Sequence, residues 1–342
     1  MSDPEFIPPS ESTSAQPEPQ PDGAPPGVSA QEPSTARAIF VGPHGIRAGW
    51  RFLLYLLMAA ALGVGLGFVL QPWQAHGAGR LWLQLISEVL VVIAAIVPAL
   101  VMARIEKRPF GAYGLPWSQA FGKLFWIGCL WGLLAITLLL VAIRGLHGFY
   151  FGHLALHGVR MAKFALFWAV FFLLVALFEE FLLRGYTQFT LTEALGFWPA
   201  AAILSAVFGG LHWGNSGEAW IGLLSAALIG FFFCLTLRRT GNLWFAVGFH
   251  QAFDWGETYL YSVPNSGTVE PGHLLSSSFH GPIWLTGGSV GPEGSVFVFI
   301  LIAVMWVLFD RMYPQAKYGV SSSAGSTQLN AHTSALETDF TA

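Results

Sequence analysis

The sequence predicts an all-α fold, a polytopic membrane bundle of about eight transmembrane helices, and two observations carry that reading. Of the 342 residues 54% are hydrophobic and only 10% charged, where a soluble domain carries about 25% charged residues, and the mean hydropathy is +0.58. The apolar residues are also gathered into stretches near the roughly 20 residues that cross a bilayer core as a helix.

In chain order, residues 1–45 come first, and nine of the twenty prolines fall before residue 37, among Ser, Gln and Glu. Without apolar periodicity this segment is expected to be disordered, and no basic region leads into a short apolar stretch, so no cleavable signal peptide is expected. Apolar stretches then run Phe52 to Leu70, Leu83 to Met102, Leu124 to Ile143, Phe164 to Leu183, Trp198 to Trp213, Trp220 to Leu237, Leu243 to Tyr259 and Val296 to Phe309. The last two are short for a full span. Together they make a bundle over residues 46–317 with a chemical core at about 164–259, followed by a flexible Ser, Thr and Ala rich tail at 318–342.

A net charge of −3 with scattered Lys and Arg excludes a nucleic-acid partner. Cytoplasmic loops are enriched in Lys and Arg. With the N-terminus inside, twelve of the sixteen basic residues are cytoplasmic and four (Arg80, Arg144, Arg160, Lys163) are opposite, so both termini are expected in the cytoplasm. The connection from about Gly256 to Ser295 has no Lys or Arg and belongs outside. In this topology Glu179 and Glu180 end the fourth helix on the cytoplasmic side, whereas His212 ends the fifth on the other. That separation conflicts with a shared site unless a helix is broken or tilted.

Three stretches place ionisable groups among apolar residues: Phe178-Glu179-Glu180-Phe181-Leu182-Leu183-Arg184, Phe208-Gly209-Gly210-Leu211-His212, and His250-Gln251-Ala252-Phe253-Asp254. An ionisable group at bilayer centre costs about 2.5 kcal/mol or more, so such groups usually face a polar cavity and do work there. Glu180 and Arg184 are four apart and can neutralise one another on a helix. Glu179 is rotated by about 100° and free for another partner, and a carboxylate in an apolar cavity is suited to accept a proton from water. His250 and Asp254 share a helix face, a spacing that lets a carboxylate orient an imidazole or lets both bind a metal. Taken singly, each stretch also reads blandly, as an anchoring cluster, an interhelical histidine or an isolated pair. Taken together they supply a base, its ion-pair neighbour and two imidazoles on three consecutive polar-bearing helices.

Glu-Glu-x-x-x-Arg, Phe-x-x-x-His and His-x-x-x-Asp, in this order on separate helices, resemble the CPBP family of intramembrane proteases, which includes the type II CAAX prenyl endopeptidases related to Rce1 and the bacterial bacteriocin-immunity or Abi proteins. The resemblance covers about Phe164 to Tyr259. It implies an endopeptidase in which Glu179 activates water with help from His212, Glu180 and Arg184 hold the geometry and charge, and His250 with Asp254 stabilises the oxyanion. On a metalloprotease reading, His212, His250, Asp254 and Glu179 would instead hold zinc, although no His-Glu-x-x-His helix is present. Eukaryotic-type members carry Asn at the position of Asp254, and an ionised Asp cannot donate to an oxyanion. The implied partners are a membrane-associated protein or peptide and the lipid bilayer, in a bacterial plasma membrane.

Two rival readings use the same residues: a non-catalytic membrane scaffold or immunity protein, and a proton-coupled transporter. No internal repeat supports transport. Weaker signals read structurally. His153 and His157 are expected in an interfacial amphipathic turn, Gly63-x-x-x-Gly67 in helix packing, and Cys129 and Cys234 as small core hydrophobes.

Overall fold

The computed structural model describes residues 40–42, 45–75, 79–215 and 217–319. The N-terminal segment expected to be disordered lies outside them up to residue 39, as does the tail from residue 320. A short hairpin, β1 (Val41–Gly42) with β2 (Gly45–Ile46), leads into α1 (Ala48–Ala75) and α2 (Arg80–Glu106). There follow α3 (Lys123–Gly145), β3 (Phe149–Tyr150), α4 (Val159–Glu180), a π-helical turn (Phe181–Tyr186), α5 (Thr187–Leu195), α6 (Phe197–Leu211) and α7 (Trp220–Thr240). The chain finishes with α8 (Trp244–Trp255), a second π-helical turn (Gly256–Tyr261), β4 (Ser278–Phe279), α9 (Ile283–Thr286) and α10 (Val296–Met312).

Every apolar stretch of the sequence is a helix, but eight full spans are more than the structure supports. Among the described residues five helical runs are long and apolar enough to cross a membrane: Ala48–Trp73, Arg80–Glu106, Lys123–Gly145, Val159–Leu195 and Trp220–Thr240. α6, α8 and α10 have 15, 12 and 17 residues. At 1.5 Å per residue these reach only about 18–26 Å, less than the roughly 30 Å of hydrocarbon.

The fourth helix is where the expectation fails most usefully. Its hydrophobic run stops at Leu183, yet the helical chain continues through the π turn, bends at Gly185 (φ −86°, ψ −113°) and goes on as α5. The backbone ladder does not end where the apolar side chains do, because Thr187, Gln188 and Thr190 are buried and hydrogen-bonded within the protein. Glu179 and Glu180 therefore sit inside a 37-residue helical run rather than at its end. From Glu180 the chain runs fifteen residues out to Leu195, and from Phe197 fifteen back to His212, so α6 returns His212 to the level of the two glutamates. The conflict between their depths disappears.

α3 and α8 pack backbone to backbone. A Cβ added at Gly128, Gly132 or Gly248 would overlap the carbonyl of Phe245, Phe249 or Phe125 respectively. Such contact between small residues substitutes for hydrophobic drive inside a bilayer. Gly63 only touches Ala94, at 3.7 Å from an added Cβ, and Gly67 meets nothing, so that pair serves ordinary packing. Two aromatic-rich clusters fill the interior, one around Tyr113, Phe181 and Trp244, the other around Phe232, Phe245 and Phe309. Cys234 is buried and Cys129 half-buried, both as free thiols.

The connection holding His153 and His157 is not the amphipathic turn expected. β3 pairs with β4 and Leu154 bridges Leu275, so the segment is extended and not a helical turn. His153 Nε2 lies 3.4 Å from Ser276 Oγ instead.

Candidate active site

The adjacent glutamates occupy different surroundings. Glu180 is fully buried: its Oε1 accepts from Arg184 Nη1 at 3.3 Å and from His250 Nδ1 at 3.0 Å. Arg184, also without exposed surface, lies with its guanidinium 4.2 Å over the Phe208 ring of α6, a cation–π contact that gains strength when desolvated. Its pocket exists because position 230 is glycine, since a Cβ there would overlap Nη2. Glu179, one residue earlier and turned away, keeps 27% of its side chain exposed and lines a cavity of about 450 Å³.

α8 brings its pair to the same place. His250 Nε2 stands 3.3 Å from Asp254 Oδ2, four residues on, and 3.7 Å from Glu179 Oε2. Three carboxylates thus surround one imidazole. The ring also stacks on Phe233 at 6.1 Å between centroids. His212 enters from the end of α6. Its Nδ1 lies 2.8 Å from the Phe208 carbonyl oxygen, which can only accept, so Nδ1 carries the hydrogen and Nε2 is left unprotonated in the neutral ring. Phe208 therefore serves both imidazole and guanidinium, with its carbonyl on one and its ring under the other.

Glu179, His212, His250 and Asp254 all line the cavity. Among the described residues no three His, Cys, Asp or Glu side chains are arranged to hold one metal ion. The four positions named for zinc share this space, and a catalytic zinc takes three protein ligands.

The cavity also has walls the motifs did not reveal: Glu88 from α2, Glu270 from the connection after α8, and Glu293 just before α10. Burial first, then the neighbouring charge of Asp254, pushes the Glu293 carboxyl up to about 7. Glu88 carried a readable signal, a lone carboxylate inside the apolar stretch Leu83 to Met102. Glu270 and Glu293 carried none, because only the folding back of their loops places them here.

Compared with known proteins, residues 161–256 match the family model described as type II CAAX prenyl endopeptidase Rce1-like. The matched segment runs from α4 to the start of the second π turn and contains every motif residue named above. No curated protein and no solved structure matches the chain.

Proposed function

We propose that the protein is an intramembrane endopeptidase that hydrolyses a peptide bond of a membrane-associated protein or peptide. The observation that carries this reading is the division of labour between Glu179 and Glu180: one carboxylate opens onto the cavity beside two imidazoles, the other is locked to Arg184 and His250. The match of residues 161–256 supports the same class of reaction.

In this mechanism a water molecule is held between Glu179 and the free Nε2 of His212. Glu179 accepts its proton as the oxygen attacks the scissile carbonyl, and returns that proton to the departing amine. His250, held through Nδ1 by Glu180 and through Nε2 by Asp254, is the positive group nearest the reacting centre and offsets charge developing on the oxyanion. Arg184 prevents Glu180 from competing for the water's proton by keeping it ion-paired. We further propose that both chain termini face the cytoplasm, following the excess of Lys and Arg on that side.

The test is Glu179→Gln, which keeps the shape and removes the base. Cleavage of a membrane-peptide library should fall by at least about 100-fold, the usual worth of general-base catalysis, while thermal stability in detergent is retained. Activity within about tenfold of the parent would sink the assignment.

A further inference from the structure

Five separate elements each contribute a carboxylate to the cavity: Glu88, Glu179, Asp254, Glu270 and Glu293, and among the described residues no Lys or Arg lines it. Among the described residues the imidazoles of His212 and His250 are the only basic groups on the wall. Arg184 is committed to Glu180 behind it.

One of these acids, and one carboxylate behind them, are incompletely satisfied. Glu270 accepts from Gln84 Nε2 at 3.2 Å through one oxygen, and its other oxygen is buried without a partner. Glu293 holds the loop at Ser266, accepting from its amide at 2.6 Å and its hydroxyl at 2.9 Å. Behind them Glu257, one turn beyond Asp254, is fully buried, neither of its oxygens has a partner, and its charge is within reach of Glu293 and Asp254. Buried carboxylates without a counter-charge are expensive. The protein alone meets that cost by holding protons, as the carboxyl of Glu293 at about 7 shows. An entering cation would answer the charge directly, whereas an entering carboxylate would add to it.

The chemistry of that cation follows from the spacing. A metal ion needs its ligands to converge, and among the described residues no three do so. A Lys or Arg side chain is long and flexible, with three to five donors that can reach carboxylates standing apart. At about 450 Å³ the space is large enough for such a side chain together with its backbone.

We infer that the substrate segment seated in this cavity carries a basic side chain beside the scissile bond, and that Glu270 and Glu293 select for it over an acidic one. The inference rests on the endopeptidase reading and adds the class of substrate to it.

Three membrane-spanning Leu-Ala peptides, identical except for a central Lys, norleucine or Glu, test it against the full-length protein in lipid nanodiscs. Binding is measured by fluorescence anisotropy on the Glu179→Gln form and cleavage by mass spectrometry on the parent. The Lys peptide should bind at least tenfold more tightly than the Glu peptide, with norleucine between them. In Glu270→Gln/Glu293→Gln the ratio should fall below threefold, the amide oxygen of residue 293 still being available to Ser266. Equal binding of Lys and Glu peptides, a preference for Glu, or no binding of the Lys peptide overturns the inference, and because these outcomes are read with Glu270 and Glu293 in place they do not depend on how the double variant folds. A Lys preference with no cleavage by the parent supports the cation site and removes the endopeptidase reading. Equal cleavage of all three does the reverse.

Discussion

A carboxylate with no exposed surface persists in a membrane bundle only with its charge answered, and at Glu180 the answer is Arg184 at 3.3 Å with His250 at 3.0 Å. Removing one partner leaves the other buried and uncompensated, which typically costs about 3–5 kcal/mol. Arg184→Ala and Glu180→Ala should each lower thermal stability in detergent by that order, and the double variant Glu180→Leu/Arg184→Met should lose less than either, because replacing a whole buried pair by apolar groups is often near neutral. Unchanged melting in both single variants would mean the pair is solvated. Gly230→Ala should act on the same pair from outside, forcing the guanidinium off Phe208. Spacing by four made the Glu180–Arg184 and His250–Asp254 pairs legible in the sequence. Phe208 and Gly230 were not legible as parts of the site, since a ring under a cation and a missing Cβ acquire meaning only once α6 and α7 are packed against α4.

Helix contact decides whether those pairs meet at all, because His250 rides on α8, and α8 is held by backbone contact with α3 through Gly128, Gly132 and Gly248. Overpacking a well-fitted interface typically costs about 1–3 kcal/mol, and here the opposing atoms are main-chain carbonyls that cannot rotate away. Gly132→Val should therefore destabilise by at least the upper part of that range and abolish activity, by separating His250 from Glu180. Gly67→Val, which meets open space, should change stability by no more than about 0.5 kcal/mol. Equal melting of the two variants would contradict the contact. Gly63 and Gly67 have the same Gly-x-x-x-Gly spacing as Gly128 and Gly132, and spacing alone does not say which face meets a partner. Element positions were legible from hydropathy, whereas the true length of the fourth helix was not: hydropathy follows exposure to lipid, and α5 is held by buried hydroxyl and amide groups that read as polar.

Across the whole molecule, charge is sorted to one end of the bundle. Arg51 at the start of α1 pairs with Glu106 at the end of α2 at 2.8 Å and with Glu193 of α5, which Arg108 also reaches at 3.1 Å. At the same level the end of α7 is tied to the end of α10 through Arg239 and Asp310 at 2.9 Å, and Arg238 is tied to the chain beyond it through the Tyr318 carbonyl. The Gly114 carbonyl accepts from Leu243 at 2.7 Å, which brings the α2–α3 connection and the start of α8 to this end as well. Arg144, Arg160 and Lys163 flank the opposite end, where β3 and β4 pair. The count of basic residues anticipated this sorting without foreseeing the ion-pair network, because a count registers which loops are basic and not which loops touch. If the basic end is cytoplasmic, a membrane-impermeant maleimide applied to intact cells should label Ser276→Cys and leave Ser118→Cys unlabelled until the membrane is opened. Both positions are exposed, and replacing Cys129 and Cys234 by alanine removes the background. The opposite pattern would invert the protein and place the part of the cavity wall formed by Ser266 and Glu293 toward the cytoplasmic side. The orientation thus decides from which compartment water and the hydrophilic part of a substrate reach Glu179.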